Sequence, residues 1–232
     1  MNGLEKMKFL GMAFVLCSVS FVSCSDDDEG EKKAGYGEEN GHEWVDLGLP
    51  SGLKWATCNV GAAAPEQTGE FYAWGEITPK ATYGWNNYAW SDEYGNEMTK
   101  YTKASEKELE LEDDAARQNM GGGWFTPSYD DWSELRNNCT WLWTEQNGVK
   151  GFLVTSTSAK TSIFLPAAGY KLYNDYLYNA EDPYGSYWSS SVYTNDRKQA
   201  WEVYFGIGVG KDALYINDIG RNAGLPVRAV CK

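Results

Sequence analysis

Short runs of aromatic and β-branched residues alternate with Gly, Asn and Pro from about residue 42 to the C-terminus. This pattern is typical of strands joined by turns. Clear examples are EWVDL, TWLWTEQ, KGFLVTS, SIFLPAAG, YWSSSVY, AWEVYFGIG and ALYIND. The Asn147-Gly148 pair lies between two such runs and predicts a hairpin that joins strands 141–145 and 150–156.

Two segments have a helical pattern instead. The stretch SEKELELEDDAARQN predicts a helix at about 105–119, which the following MGGG would end. The stretch SYDDWSELRN predicts a second helix at about 128–137. Many strands and few helices indicate an α+β domain.

The start of the second helix offers several capping residues. Thr126 is a candidate cap, and Pro127 suits a first helical position. Ser128 and Asp131 have the spacing of a capping box. Trp132 is predicted to lie on the buried face of this helix.

The N-terminus has the pattern of an export signal. Two lysines, Lys6 and Lys8, precede an apolar stretch from Phe9 to Val22. A membrane-spanning helix needs about 20 apolar residues, so this stretch predicts a secretory signal of residues 1–23 instead. A small residue followed by Cys24 resembles the bacterial lipobox, which predicts lipid attachment at Cys24. An ordinary signal peptide with Cys24 as a spare thiol is the alternative.

The segment after Cys24 is polar and acidic. Residues 24–41 are predicted to be a flexible tether, and residues 42–232 the folded domain. The run SDDDE lacks the ligand spacing of a calcium loop. It resembles the export signal that follows the lipidated Cys in surface lipoproteins of the Bacteroidetes group. This predicts the outer face of the outer membrane, and a solvated linker on a periplasm-facing lipoprotein is the alternative.

Composition narrows the classes of partner. The chain of 232 residues has a formal net charge of -13, which repels phosphate backbones and argues against nucleic-acid binding. Aromatic residues make up 15% of the sequence, which is too many for a disordered chain. Most tryptophans within the strand and helix motifs are predicted to be core residues, namely Trp44, Trp55, Trp74, Trp124, Trp132, Trp141 and Trp143.

No set of residues has the pattern of a catalytic, metal or cofactor site. His42 is the single histidine and lies at the predicted domain edge. The cysteines lack zinc-site spacing, and no phosphate-binding glycine motif is present. The pairs Asp113-Asp114 and Asp130-Asp131 are predicted to lie on solvated helical faces, because adjacent helical residues diverge too far to act on one sugar.

Several motifs together resemble one family. They are WVDLGLPSGLKWATCNVGA, GEFYAWGEITPK, LEDDAA, GGGWFTPSYDDWSEL, NNCTWLWTEQNGVKGFLVTS, SIFLPAAGY, YWSSS and LPVRAV. In this order they resemble the Fibrobacter succinogenes major paralogous domain family. The resemblance implies a single C-type-lectin-like domain, similar also to formylglycine-generating enzymes, and it supplies no catalytic residues. Phe125 and Thr126 stand where the family has Arg and Met, so a contact of that Arg with a buried carboxylate is expected to be missing.

Three cysteines remain in the folded domain. In an oxidising envelope they allow one disulfide. Cys58–Cys139 is the first choice because both residues lie within the family-like motifs. Cys139–Cys231 is the second choice, because lectin-like folds often tie a helix to the last strand. Free, buried thiols are the alternative.

The C-terminal third interleaves Tyr, Trp, Asn, Asp and Ser, a composition typical of recognition surfaces. Aromatic faces and polar groups of these types suit a sugar. The candidate ligand-binding residues are Tyr193, Trp201, Tyr204, Tyr215, Asn217, Asp218, Arg221 and Asn222. The alternative is that they serve only strands and turns. Domains resembling this family are also targets of diversity-generating retroelements, which implies that exposed residues within 201–230 vary between copies.

These observations predict a surface-exposed, lipid-anchored binding or adhesion module rather than an enzyme. Its partner is expected to be a glycan or protein on a neighbouring surface. A carbohydrate-active enzyme and a purely structural envelope protein are the competing classes.

Overall fold

The computed structural model describes residues 34–173, 176–178, 183–206 and 214–232. These residues belong to one compact unit, Lys32–Lys232. The predicted signal peptide, the lipid attachment at Cys24 and the acidic run lie outside the described residues. Within the described ranges, no helix has the length and apolar character to span a membrane.

Antiparallel strands dominate the described residues and form four sheets, with strand orders β1-β2-β3-β12, β11-β10-β9, β4-β5-β6 and β7-β8. The strands are β1 (Tyr36–Glu39), β2 (His42–Asp46), β3 (Lys54–Ala56), β4 (Cys139–Gln146), β5 (Val149–Ser156), β6 (Ser162–Pro166), β7 (Tyr170–Leu172), β8 (Tyr176–Tyr178), β9 (Tyr184–Val192), β10 (Gln199–Gly206), β11 (Tyr215–Gly220) and β12 (Val230–Cys231). The helices are α1 (Ala115–Met120) and α2 (Tyr129–Asn138), with 3-10 turns at Trp85–Asn87 and Leu111–Asp113. This confirms the mixed, strand-rich class.

The predicted hairpin is confirmed. Strands β4 and β5 pair from Gln146↔Val149 to Cys139↔Ser156, so Asn147 and Gly148 form the turn. Both residues have positive φ, 49° and 84°, as a tight hairpin turn of this kind requires.

The predicted second helix is also confirmed as α2. Ser128 is its N-cap and forms a reciprocal capping box with Asp131. The buried face carries Trp132, as predicted. Thr126 does not cap this helix, because its backbone N–H and its hydroxyl donate to the buried Asp114 carboxylate at 2.8 and 2.6 Å. Thr126 therefore holds the buried Asp114 carboxylate rather than the start of α2.

The predicted first helix is much shorter than expected. It begins only at Ala115, since the Asp114 carboxylate accepts hydrogen bonds from the N–H groups of Ala116 and Arg117 and acts as the N-cap. Upstream, the glutamates at 106 and 110 would repel each other one turn apart in a helix. Asp113 is buried and accepts hydrogen bonds from Lys100 and Tyr101. The prediction that Asp113 and Asp114 are solvated was wrong.

Strand β1 lies inside the segment predicted to be a tether. Tyr36–Glu39 pairs with β2 through the turn at Asn40-Gly41. Trp44 packs partly over this strand, since a Cβ at Gly37 would meet the Trp44 ring at 2.7 Å or less. The ordered domain therefore starts earlier than residue 42.

The sheet of β9, β10 and β11 lies between two clusters of buried side chains. On one face Tyr187, Val203 and Phe205 belong to the first core cluster, with Trp132 and Phe152. On the other face Trp188, Val192 and Ala200 belong to a second core cluster, together with Trp74 and Trp124. Five of the seven predicted core tryptophans are buried, and Trp44 and Trp143 pack against the clusters.

The cysteines of the domain are unpaired in the structure. Cys58, Cys139 and Cys231 are free thiols, so neither predicted disulfide forms. Cys139 lies in the first core cluster and Cys231 in the second. Cys58 follows β3 and is half-buried. Cys58 belongs to neither of these two clusters.

Candidate functional site

Strand register divides the candidate ligand-binding residues. In an antiparallel pair, directly opposite residues share a face. Trp201 pairs with Asp218, whereas Tyr204 pairs with Tyr215 and Glu202 with Asn217. The predicted set therefore splits between the two faces of the sheet and does not form a single surface.

Arg221 and Asn222 are not available to a ligand, because both are buried. The Arg221 guanidinium donates to the Tyr88 hydroxyl at 2.8 Å and to the carbonyls of Lys100 and Arg197. It also lies over the Trp74 ring, with its central carbon 4.7 Å from the ring centroid. These contacts cross-link loops and make Arg221 a structural residue, contrary to the prediction.

Trp201 belongs to a small aromatic group beside the start of α2. Its ring lies 4.8 Å from the ring of Tyr129 and 4.8 Å from that of Tyr193. Trp201 and Tyr193 are half-buried. Because each ring packs edgewise or tilted against its neighbour, this group offers little free ring face.

The other face presents a row of four tyrosines, Tyr170, Tyr184, Tyr204 and Tyr215, called here the tyrosine row. The ring centroids of Tyr170 and Tyr184 are 5.8 Å apart, and those of Tyr184 and Tyr204 are 5.2 Å apart. Tyr204 lies directly opposite Tyr215 on β11. Tyr215 is 51% exposed, and the other three are half-buried. The row thus runs from β7 across the three-stranded sheet.

A buried carboxyl group, Glu202, lies beside the tyrosine row. It accepts a hydrogen bond from the Ser186 hydroxyl. Burial raises the pKa of Glu202 from 4.5 to about 7, and the charge of Asp218 acts in the same direction. Asn217, opposite Glu202, is exposed. The Glu202 carboxyl group and the Ser186 hydroxyl are both buried, so the polar groups that the row can offer to a ligand are the tyrosine hydroxyls and the exposed Asn217 amide.

Two tyrosines of the row, Tyr184 and Tyr204, have a raised pKa. Burial raises the pKa of Tyr184, and the neighbouring Tyr170 hydroxyl acts in the same direction through a hydrogen bond. Burial likewise raises the pKa of Tyr204, assisted by Glu202. A neutral phenol offers both a donor and an acceptor beside its apolar ring.

The sequence patterns did not single out Tyr170, Tyr184, Glu202 and Ser186. Period-two alternation in YGSYWSSSV could have placed Tyr184 and Ser186 on one face. Their alignment with Tyr204 depends on the register of β9 with β10, which shifts between Ala200 and Glu202. No local pattern predicts that shift.

No group of three or more His, Cys, Asp or Glu side chains is arranged to hold a metal ion within the part of the chain that the structure describes. No protein-family model, curated protein or solved structure matches the chain.

Proposed function

We propose that this chain is a lipid-anchored, surface-exposed binding module with a lectin-like domain, and that the tyrosine row binds a glycan. The observation that supports the proposal is the alignment of four tyrosines on one sheet face beside the exposed Asn217 amide. Aromatic faces pack against the C–H faces of a sugar, while hydroxyl, amide and carboxyl groups bind its hydroxyls.

Glycan-array binding followed by calorimetry of the full-length chain tests this proposal. Removing a central aromatic contact typically costs more than 1 kcal/mol, so Tyr204→Ala and Tyr215→Ala should each weaken binding by roughly fivefold to thirtyfold. Trp201→Ala is the matched control, because Trp201 lies on the opposite face. If Trp201→Ala loses glycan binding and Tyr215→Ala keeps it, the glycan binds at the Trp201 group and not at the tyrosine row.

The segment predicted to vary between copies, residues 201–230, overlaps the proposed glycan site only in part. Residues 221–230 are all buried. Substitutions there would disturb the core, so variation between copies would have to concentrate at exposed positions such as Tyr215 and Asn217. Sequencing of related gene copies tests this point, and variation spread evenly over 201–230 would contradict it.

The anchor is tested separately from the ligand site. Cys24→Ala should abolish incorporation of radioactive lipid, and Cys58→Ala is the control that should keep it. Replacing the acidic run Asp26–Glu29 with Ser should protect the chain from protease added to whole cells. If the wild-type chain is already protected, the surface location is wrong while the lipid anchor stands.

A carbohydrate-active enzyme is the second candidate, and Glu202 favours it. A buried carboxyl group with a pKa raised to about 7 is suited to general acid–base catalysis. Glycoside hydrolysis usually needs two carboxyl groups about 5–10 Å apart facing one sugar. The neighbouring Asp218 shares the face of Trp201 instead. Turnover of a labelled glycan that is lost in Glu202→Gln would favour the enzyme, and binding without turnover the module.

A further inference from the structure

A cavity of about 470 Å³ lies beside the end of β3. Its volume is in the range of small-molecule sites in proteins. Part of its wall is apolar and includes Val60, Pro79 and Met120. The cavity shares no lining residue with the tyrosine row, so what it binds is a question independent of the proposed glycan site.

The hydroxyl group of Tyr72 has no hydrogen-bond partner at this cavity. Tyr72 lines the cavity and is only 2% exposed. Its hydrogen bonds to Leu225 and Trp188 all use its backbone, and its hydroxyl makes none with the residues that the structure describes. Leaving such a group unpaired is costly, so its hydrogen bonds have to come from molecules inside the cavity.

The hydroxyl oxygen of Tyr72 opens into the cavity. Among the described residues, the unpaired side-chain atoms that are completely enclosed belong to Trp55, Trp141 and Arg221. The Tyr72 oxygen is not one of them, so the small exposed area of Tyr72 includes this atom. Because Tyr72 lines the cavity, its hydroxyl is accessible to a molecule bound there.

Glu70 is brought to the same side of the chain as Tyr72. The N–H groups of Glu70, Tyr72 and Trp74 donate to carbonyls of other segments, which is the alternation of an extended chain. Phe71 and Ala73 point the other way, into a third cluster of buried residues. Glu70 lines the cavity as well. Burial raises the pKa of Tyr72 to about 12, and the charge of Glu70 acts in the same direction.

The charges that line the cavity are negative. Glu43 and Glu70 are exposed there, and neither forms an ion pair with any of the described residues. None of the described lining residues is Lys or Arg. Arg228 is completely buried behind the wall, where it donates to neutral oxygens that include those of Asn59 and Thr57. The two carboxylates therefore favour a positively charged occupant.

The wall of the cavity suits an organic cation better than a metal ion. Hard metal ions need about six oxygen ligands, and the carboxylates here are only two. The apolar residues Val60, Pro79 and Met120 offer contact area to a hydrocarbon body instead.

We propose that this cavity binds a small organic amine in its ammonium form, with an apolar body. The ammonium group donates hydrogen bonds to the Glu70 carboxylate and to the Tyr72 hydroxyl oxygen. The apolar body packs against Pro79 and Met120. Glu43 adds attraction for the cation at the rim. This binding does not depend on the glycan site at the tyrosine row.

Calorimetry of the full-length chain with phenethylamine at pH 8 tests the site. Phenethylamine should bind with a dissociation constant below about 1 mM. 2-Phenylethanol has the same body with a neutral hydroxyl group, and it should bind at least about tenfold more weakly. Added salt should weaken the binding of the amine. Equal affinity for amine and alcohol would overturn the cation preference, and no binding of phenethylamine up to about 10 mM would overturn the proposal.

Tyr72→Phe separates a role in ligand binding from a structural role. It removes only the hydroxyl, so it should weaken phenethylamine binding by roughly fivefold to tenfold. The melting temperature without ligand should stay the same or rise, because no hydrogen bond within the protein is lost. Unchanged binding together with a lower melting temperature would show that the hydroxyl is structural.

Charge variants locate the ammonium group. Glu70→Gln should weaken phenethylamine binding by roughly tenfold, and Glu43→Gln by only about twofold. Glu97→Gln is the matched control, because Glu97 is exposed, lies outside the cavity lining and loses the same charge. Equal losses in Glu70→Gln and Glu97→Gln would show general attraction to an acidic protein instead of a site. If Tyr215→Ala loses amine binding and Tyr72→Phe keeps it, the amine binds at the tyrosine row and the proposal is wrong.

Discussion

The two faces of the β9–β10–β11 sheet are built from neighbouring residues of the same strands and have different roles. Phe205 points into the first core cluster, where its ring lies 5.2 Å from Phe152 and 5.9 Å from Tyr187. The adjacent Tyr204 points to the other face and joins the tyrosine row. One face of β10 thus packs in the first core cluster, while the other carries part of the second core cluster and, beyond it, the tyrosine row. The comparison shows that adjacent aromatic residues of one strand can differ in burial, since Phe205 is buried and Tyr204 is half-buried.

The largest difference is expected between substitutions at these adjacent positions. Phe205→Ala should lower the free energy of unfolding by about 3–5 kcal/mol, because it leaves a cavity among packed rings. Tyr204→Ala should cost only about 1 kcal/mol, since it removes half-buried cross-strand contacts. Urea unfolding of both variants measures the difference. Equal losses would mean that the tyrosine row is part of the core.

The second difference between the faces is the buried Glu202 carboxyl group beside the tyrosine row, which makes the stability of the chain depend on pH. The folded chain holds a proton on Glu202 up to a pKa of about 7, whereas the unfolded chain releases it near 4.5. Stability from this group is therefore complete below about pH 4.5 and falls as the pH rises through 7, by roughly 3 kcal/mol in total. Unfolding at pH 5, 6, 7 and 8 should show this fall in the wild type and a smaller fall in Glu202→Gln.

A variant of the hydrogen-bond partner provides the control for Glu202. The Ser186 hydroxyl lowers the pKa of Glu202, in opposition to burial. Ser186→Ala should therefore move the midpoint of the pH-dependent loss of stability to higher pH. Glu202→Gln should remove the part of this loss that comes from Glu202. Identical pH profiles for Glu202→Gln and the wild type would show that the carboxyl group is more solvated than the structure indicates.

Two glycines, one in β9 and one in β10, are expected to show a smaller difference in stability when each is replaced by Ala. A Cβ at Gly185 would overlap the Phe205 ring, whereas a Cβ at Gly206 would find Tyr184 at 3.4 Å. Gly185→Ala should cost about 1–3 kcal/mol through overpacking. Gly206→Ala should change stability by no more than about 1 kcal/mol in either direction, because glycine itself weakens a strand. Thermal unfolding distinguishes the two variants, and a larger loss for Gly206→Ala would reverse the assignment of the faces.

Local chemistry explains which elements could be predicted from sequence. The β4–β5 hairpin depends on Asn147-Gly148, and the start of α2 depends on Ser128 and Asp131, so all the interactions lie within a few residues. The long helix at 105–119 was wrong because Asp114 is fixed by Thr126, twelve residues away. Helix propensity is a property of neighbouring residues, so it does not include a contact between residues twelve positions apart.

The candidate site was less predictable than the fold for the same reason. Tyrosine and asparagine content drew attention to the C-terminal third of the chain, where Tyr204, Tyr215 and Asn217 share a face. Composition could not separate them from Trp201 on the opposite face, nor reveal that Arg221 is enclosed by Trp74 and Tyr88. Both facts follow from strand register and loop packing.

The smallest effect tests whether the tyrosine row is a single unit on its own face. Tyr204 and Tyr215 are directly opposite, so a double-mutant cycle of their Ala variants should give a coupling energy of roughly 0.2–1 kcal/mol. Trp201 and Asp218 are also directly opposite, but Trp201 is packed against Tyr129 and Tyr193 instead. The matching cycle for that pair should give a coupling near zero, measured by urea unfolding. A larger coupling on the Trp201 side would show that aromatic pairing across these strands does not distinguish the face of the tyrosine row from the face of Trp201.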